Sequence, residues 1–445
     1  MTIRPMRSVL ATGAALVAAM VVAACGGDSG TGASSTAAAS SAAAATTAAA
    51  TTAADPALAS AVKVYGEFTG GTAGAADPSQ TPVTIGFVND EGGIPSFPEG
   101  SVAADAAVAF INEQLGGVAG HPIALVKCLV AGQEEQGQGC AQQFLGDSSI
   151  KAVVEDSQVV GAGAFHKTLA GKLPTIIGSP NSIADATAGN AYAISAGVFG
   201  TDPGFTIYAT QFLKAKTAAL VFPGDDPTGQ AAAKQIKDDM TKAGITVTDA
   251  GYKSSSPDFL PTLIAAGAGK ADVTVTLFPS PPTCIAGAKA LKQIGGDKPV
   301  LSLSLCIAEP VKQAVGDYPA WTYVAVNTNT EIPGDEATDA YTAVMKAYAP
   351  ADANTGGFAQ HAFMGVMTAA KAIAAAGGDT ATPDAIGTWL KGFTGPLPML
   401  PPEVHFGAIP PLPSLGSLAS RLYTYEGNGS WKDATNGEWV QPPAG

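Results

Sequence analysis

The sequence predicts an α/β fold of two doubly wound, Rossmann-like lobes, and three observations carry that expectation. Short apolar runs alternate with helical patterns from Pro82 to about Leu303, the signature of parallel strands covered by helices on both faces. The alternation comes in two series, divided by a helix near Phe205. The chain has 445 residues, 46% hydrophobic and 13% charged. That composition excludes a disordered or collagenous chain, and about 150 residues per domain suggests two or three structural units.

In the first series, Val83 to Val88 is an apolar run that predicts a strand. The segment Val102 to Leu115 follows with Ala107, Val108, Ile111 and Leu115 at helical spacing before Gly116-Gly117. Strands are then expected at Pro122 to Cys128, Ile150 to Val154 and Pro174 to Ile177, with helices at Gly139 to Leu145 and Ala162 to Ala170. In the second series a helix over Phe205 to Leu213 leads to strands at Ala218 to Phe222, Ile245 to Thr248, Val273 to Phe278 and Val300 to Leu303. The helices between them fall at Gly229 to Ala243, Phe259 to Ala266 and Ile285 to Ile294. Beyond a strand at Trp321 to Val326, the stretches Glu336 to Tyr348, Phe358 to Ala376 and Pro383 to Lys391 are helical in pattern. Val404 to Phe406 and Leu422 to Tyr425 alternate like strands, with the proline runs 396–402 and 410–413 as rigid loops.

The amino terminus has the form of an export signal. Arg4 and Arg7 precede an uncharged run of 17 residues, Ser8 to Ala24, short of the roughly 20 that span a bilayer. The run ends Val22-Ala23-Ala24-Cys25-Gly26, which resembles the lipobox of bacterial lipoproteins. That resemblance implies removal of residues 1–24, diacylation of Cys25, and a mature chain held by lipid on the extracytoplasmic face of the cell membrane. An ordinary secretory signal followed by a chance cysteine is the plainer alternative. From Gly26 to about Ala57 nearly every residue is Ser, Thr, Ala or Gly. With so little to bury, residues 25–81 are expected to form a flexible tether.

Charge narrows the partners. Lys plus Arg number 23 against 37 acids, a net −14. Removing residues 1–24 takes away two cations and no acid, leaving −16 and Arg421 as the only arginine. Nucleic acid and an anionic membrane surface both require clustered cations, so neither is an expected partner.

Besides Cys25 the chain has Cys128, Cys140, Cys284 and Cys306. An even number in an exported protein suggests two disulfides. Three pairings are possible, and proximity favours Cys128 with Cys140 and Cys284 with Cys306. Neither pair has zinc-ligand spacing and the four histidines are scattered, so no metal and no cofactor is expected.

From about Pro82 to Glu426 the chain resembles the type I periplasmic binding proteins of the branched-chain amino-acid importer class. The resemblance rests on the opening strand Val83-Thr84-Ile85-Gly86-Phe87-Val88 and on Ala106 to Glu113 running into Gly116-Gly117-Val118-Ala119-Gly120-His121-Pro122-Ile123. It continues in Leu173-Pro174-Thr175-Ile176-Ile177-Gly178-Ser179-Pro180-Asn181 and in Gly295-Gly296-Asp297-Lys298-Pro299-Val300-Leu301. It implies a three-segment hinge, with lobe 1 at 82–203 plus 327–394 and lobe 2 at 204–326 plus 395–440. A branched-chain amino acid or a related small acid or amide would sit between the lobes, outside the carboxyl ends of the strands. The implied partners are that small-molecule ligand and the permease subunits of an ABC importer. A sensor of the same fold, read by a signalling partner in the membrane, is the alternative.

The same resemblance assigns candidate contacts. Ser157 and Gln158 lie in the loop after the third strand, where the family holds a ligand carboxylate; Ser157 as a simple helix cap is the competing reading. Ser179 and Asn181 match the next loop, Phe97 an aromatic shelf, and Thr228 a position that closes over the ligand. Phe278 stands where an acidic partner for an ammonium group is often found.

No catalytic constellation is present: no G-x-S-x-G elbow, no H-E-x-x-H, no Walker A loop, and a dinucleotide fingerprint that fails where His166 replaces its third glycine. His166 itself is expected on the solvated face of its helix. The chain is therefore expected to bind and not to catalyse.

Overall fold

The computed structural model describes residues 55–256 and 258–442. The expected signal, Cys25 and the tether up to residue 54 lie outside the described residues.

The chain enters through α1 (Pro56–Thr69), then β1 (Val83–Asp90), α2 (Pro98–Gln114), β2 (Ile123–Val130), α3 (Glu134–Gly146) and β3 (Ile150–Glu155). Next come α4 (Ala162–Leu169), β4 (Thr175–Ile177), α5 (Ile183–Thr187) and β5 (Ala191–Ala193). The second series runs α6 (Gly197–Ile207), a wider π turn at Tyr208–Phe212, β6 (Thr217–Pro223), α7 (Pro227–Lys242), β7 (Thr246–Tyr252) and α8 (Leu260–Ala266). It continues with β8 (Val273–Thr276), α9 (Pro281–Ile294), β9 (Val300–Leu303), α10 (Glu309–Val315) and β10 (Thr322–Ala325). Helices α11 (Glu336–Tyr348), α12 (Phe358–Ala375) and α13 (Pro383–Gly392) precede β11 (Arg421–Gly427) and β12 (Ser430–Asp433).

Two α/β lobes result, as expected. The first holds five parallel strands ordered β2-β1-β3-β4-β5; the second holds seven, β12-β11-β10-β9-β8-β6-β7, with β11 and β12 antiparallel. Because successive strand residues face opposite ways, each strand feeds two cores. On β1, Ile85 and Phe87 join the core built with α2, α11 and α12, whereas Val88 packs with Phe144 and Phe165 of α3 and α4. On β6, Leu220 faces α6 and α7 while Ala219 and Val221 face α8 and α9. Both disulfides form as proximity favoured: Cys128–Cys140 joins β2 to α3, and Cys284–Cys306 joins α9 to the turn after β9.

Three crossovers link the lobes. Ile194 is still in the first core and Phe205 already in the second; the chain returns after β10 near Asn327 and crosses again between Leu415 and Leu422. The first two crossovers leave from the carboxyl ends of β5 and β10. The hinge therefore runs along the carboxyl edge of both sheets, the edge at which doubly wound folds bind ligands.

The structure corrects the expected organisation in three places. Residues 56–69 are not tether: α1 packs on α11 and α12, with Ala61, Tyr65 and Phe68 buried and the Tyr65 hydroxyl donating to the Ala337 carbonyl at 2.9 Å. Its ends are capped by Asp55, which accepts from the Ala57 N–H, and by Gly70 at φ 75°. The stretch 395–417 belongs with lobe 1, not lobe 2. Leu397, Met399, Leu400 and Val404 complete its core, Phe406 lies edge-on to Tyr192, and Leu415 extends the sheet beside Ala193. Val404 to Phe406 is no strand, because a chain with prolines at 401, 402, 410, 411 and 413 cannot supply a ladder of donors. It forms a loop closed by the His405 N–H to the Gly416 carbonyl and the Gly407 N–H to the Pro413 carbonyl.

Candidate functional site

At the carboxyl edge of lobe 1 the loops after β1, β3 and β4 are stitched together by backbone. The Asp90 N–H donates to the Ser157 carbonyl at 3.0 Å, the Gly178 N–H to Glu155 at 2.7 Å, and the Ser179 N–H to Asp156 at 2.9 Å. These bonds set three of the expected polar groups side by side. The Asn181 amide donates to Ser157 Oγ at 3.0 Å and to the Ser179 carbonyl at 2.9 Å.

Ser157 does not cap its helix, which starts five residues later at Ala162 with Gly161 at the N-cap. Gln158 is buried, and its amide is turned back towards Gly161 with neither amide atom hydrogen-bonded. Phe97, half-buried, pairs with Phe358 at the start of α12, ring centroids 4.5 Å apart. The lobe 2 candidates stand apart. Thr228 is exposed in the first turn of α7, its N–H bonded to Asp226. Phe278 is fully buried among Tyr252, Phe259 and Trp321, so it is a core residue and no contact. Its ring fills the space beside Gly287, where any Cβ would come within 2.2 Å of it.

Around the Ser157–Asn181 cluster lie acids that no sequence motif marks as site residues. The Asp90 carboxylate accepts the Val159 and Val160 N–H groups at 2.8 and 2.9 Å. Burial pushes its pKa up to about 6 in spite of those donors. Asp185 accepts the Asn181 and Ser182 N–H groups at 2.7 and 2.9 Å. Its other oxygen lies 3.4 Å from His166 Nε2, which is also 3.0 Å from Glu155.

His166 is thus buried and paired, contrary to the solvated placement expected of it. Ala162, Phe165, His166 and Leu169 share one face of α4 by their i, i+3, i+4, i+7 spacing, and that face is the packed one. Burial works against the imidazolium, but the Glu155 and Asp185 carboxylates outweigh it and hold its pKa up to about 10. Glu155, His166 and Asp185 each offer one ligand atom within 4.8 Å of the others, the geometry of a cation-binding triad; an imidazolium between two carboxylates offsets their charge, while the facing atoms make no hydrogen bond. Asp156 is buried with neither oxygen hydrogen-bonded, and burial, then Glu99 and Glu155, push its pKa well above the usual carboxylate range. An open recess of about 620 Å³ on lobe 2, between β6, β7 and α7, includes none of the candidate residues.

Comparison with known proteins agrees with this architecture. A family model described as periplasmic binding protein matches residues 82–406. No curated protein sequence matches. A leucine-binding protein from Thermotoga maritima is 13% identical with a TM-score of 0.63, over 81% of this chain and 99% of that one. A branched-chain amino acid transporter substrate-binding protein from Streptococcus pneumoniae, solved with isoleucine, is 19% identical with a TM-score of 0.64, over 81% and 100%. A solute-binding protein of an ABC transporter from R. palustris, solved with 4-hydroxybenzoate, is 18% identical with a TM-score of 0.62, over 81% and 96%. A match over most of the chain, together with two parallel α/β lobes hinged at their carboxyl edges, shows that this chain belongs to the type I periplasmic binding protein family.

Proposed function

We propose that the chain is an extracytoplasmic solute receptor that captures a small organic ligand between its lobes and delivers it to the permease subunits of an ABC importer. In this reading residues 1–24 are removed, Cys25 carries the lipid, and residues 25–54 are the spacer that lets the lobes stand clear of the membrane. No helix among the described residues is long and apolar enough to cross a membrane. Phe97, Ser157, Ser179 and Asn181 face the ligand from lobe 1, and the hinge closes lobe 2 over it.

The observation that carries this reading is the placement of the hinge. All three crossovers lie on the sheet edges where doubly wound folds bind ligands, so closure and binding use one surface. The receptor performs no reaction on its guest. The test is a thermal-shift and calorimetric screen of the mature chain against amino acids, amides, amines and aromatic acids. A binder raises Tm in proportion to RT ln(1 + [L]/Kd) and is recovered chemically unchanged. A screen with no binder, or recovery of a product, sinks the reading. For the anchor, Cys25→Ser should move the protein from the membrane to the soluble fraction; continued membrane retention would contradict lipidation.

A further inference from the structure

We propose that the cleft takes a ligand without negative charge, an apolar or flat-ring body bearing an amide, alcohol or amine, because the chain's own Asp90 fills the place of a ligand carboxylate. The inference rests on the receptor reading above and narrows the guest it admits.

Three observations support it. The first concerns donors. Free N–H groups ahead of a helix are where a doubly wound lobe meets an anion, and here the two in the loop before α4, together with one in the next loop, are already engaged by the chain's own acids. The Val159 and Val160 N–H groups bind Asp90 at 2.8 and 2.9 Å, and the Asn181 N–H binds Asp185 at 2.7 Å. The Asn181 amide, in turn, is engaged by Ser157 and Ser179. To take these donors a ligand carboxylate would have to break their bonds and leave a buried acid unpaired, a loss that hydrogen bonds of equal kind cannot recover.

The second concerns field. The loops after β1, β3 and β4, residues 90–97, 155–161 and 178–182, contain no lysine or arginine to pair with a ligand carboxylate; of their acids Asp90, Glu91, Glu155 and Asp156, burial pushes Asp156 towards its neutral form and His166 is paired with Glu155. The loops after β6 and β7 in lobe 2 add Asp225, Asp226 and Asp258 against Lys253 alone. Like charge across a contact discriminates against a partner. His166 is shared between Glu155 and Asp185 and is therefore not free to pair with a ligand anion. The third concerns shape. The Phe97–Phe358 pair, 4.5 Å between centroids, presents a half-buried aromatic surface on the same edge, suited to a flat or branched apolar body.

The experiment compares probes of matched shape and different charge on the mature chain by calorimetry. The aromatic set is 4-hydroxybenzoate, 4-hydroxybenzamide and tyramine; the aliphatic set is 4-methylpentanoate, 4-methylpentanamide and leucine. The expected result is that the amide or amine of at least one set binds about tenfold or more tighter than its carboxylate. Asp90→Ala, which frees the two N–H groups, should shrink that ratio by admitting the carboxylate, and Asp90→Asn should shrink it less. A wild-type chain that prefers the carboxylate or leucine overturns the inference while leaving the receptor reading intact. No binding by any probe also overturns it, and the receptor reading then stands or falls on the wider screen. If Asp90→Ala is unfolded by circular dichroism, the wild-type ratios and Asp90→Asn decide.

Discussion

With its imidazole 3.0 Å from Glu155 and 3.4 Å from Asp185, His166 ties the end of β3 to the helix after β4. Asp185 in turn fixes the backbone of Asn181 and Ser182, so the charge on His166 reaches the Ser157–Asn181 contact through one intermediate. Removing one member of a buried pair leaves an uncompensated charge at a cost of about 3–5 kcal/mol. His166→Ala should lower stability at pH 7 by less than that, because Glu155, already raised to about 7, takes up a proton once the imidazolium is gone; denaturant unfolding measures the loss. The folded pKa of about 10 lies above the ordinary imidazole value of about 6.5. Its stabilisation is therefore complete below about pH 6.5 and is lost as pH rises through about 10. Wild type should weaken across that interval and His166→Ala should weaken less; equal slopes would show that His166 is not the charged bridge. The buried face of α4 was legible in the spacing of Ala162, Phe165, His166 and Leu169, which the expected solvent placement overlooked. The role of Asp90 was not legible, because its two donors come from residues 69 and 70 positions away and only the pairing of β1 with β3 brings them close.

At the level of elements, the alternation of apolar runs with 3.6-residue patterns located most strands and helices of both lobes, since each is short, periodic and bounded by glycine or proline. Helix α1 escaped because it follows directly on an Ala-rich stretch, although Asp55-Pro56 at its start, Gly70 at its end and apolar residues at 58, 61, 62, 65 and 68 are all start, stop and face signals. The burial of Tyr65 and Phe68 makes α1 part of lobe 1. A chain beginning at residue 55 should unfold at the same temperature as the mature protein. One beginning at residue 82 should lose several degrees or aggregate, since truncating even one large buried aromatic costs about 3–5 kcal/mol. Equal melting of the two would return residues 56–69 to the tether. The disulfides are a second element-level device. Closing loops of 12 and 22 residues, each should contribute roughly 3 kcal/mol through the unfolded chain. A Cys128→Ser/Cys140→Ser variant should show that loss in its denaturant midpoint while keeping its ligand response, because neither cysteine touches Ser157 or Asn181; a lost response would place that pair in the binding apparatus.

For the molecule as a whole, the two-lobed division and its third crossover were within reach of the sequence only in part. The 395–417 segment has no periodicity of its own, and it stays with lobe 1 because Leu397, Met399, Leu400 and Val404 fill that core. A property of the entire chain follows from the acids this fold buries. Burial pushes Asp90 up to about 6, Glu155 and Asp202 up to about 7, and Asp156 well above its usual range. A carboxyl whose folded pKa is raised holds its proton more tightly when folded, so its contribution is complete below about pH 4 and is lost as pH rises through the folded value. His361 acts in the opposite sense. Burial lowers it to about 4, so folding gains stability from it as pH rises from about 4 towards 6.5. Four carboxyls against one imidazole leave the balance with the carboxyls, and His166 adds a further decline on the alkaline side. Exposed aspartates such as Asp272 and Asp225, lowered by the backbone N–H groups they accept, lose their contribution only below about pH 4. The protein should therefore melt highest near about pH 5 and lower at pH 8, the reverse of a chain stabilised chiefly by surface ion pairs. Asp156→Asn, which keeps the shape of a protonated carboxyl and cannot ionise, should raise Tm at pH 8 and change it little at pH 5. Thermal melts from pH 4 to 9 decide the matter: a Tm at pH 8 equal to or above that at pH 5 would mean that these acids are solvated, and the packed carboxyl edge described for lobe 1 would have to be open to water.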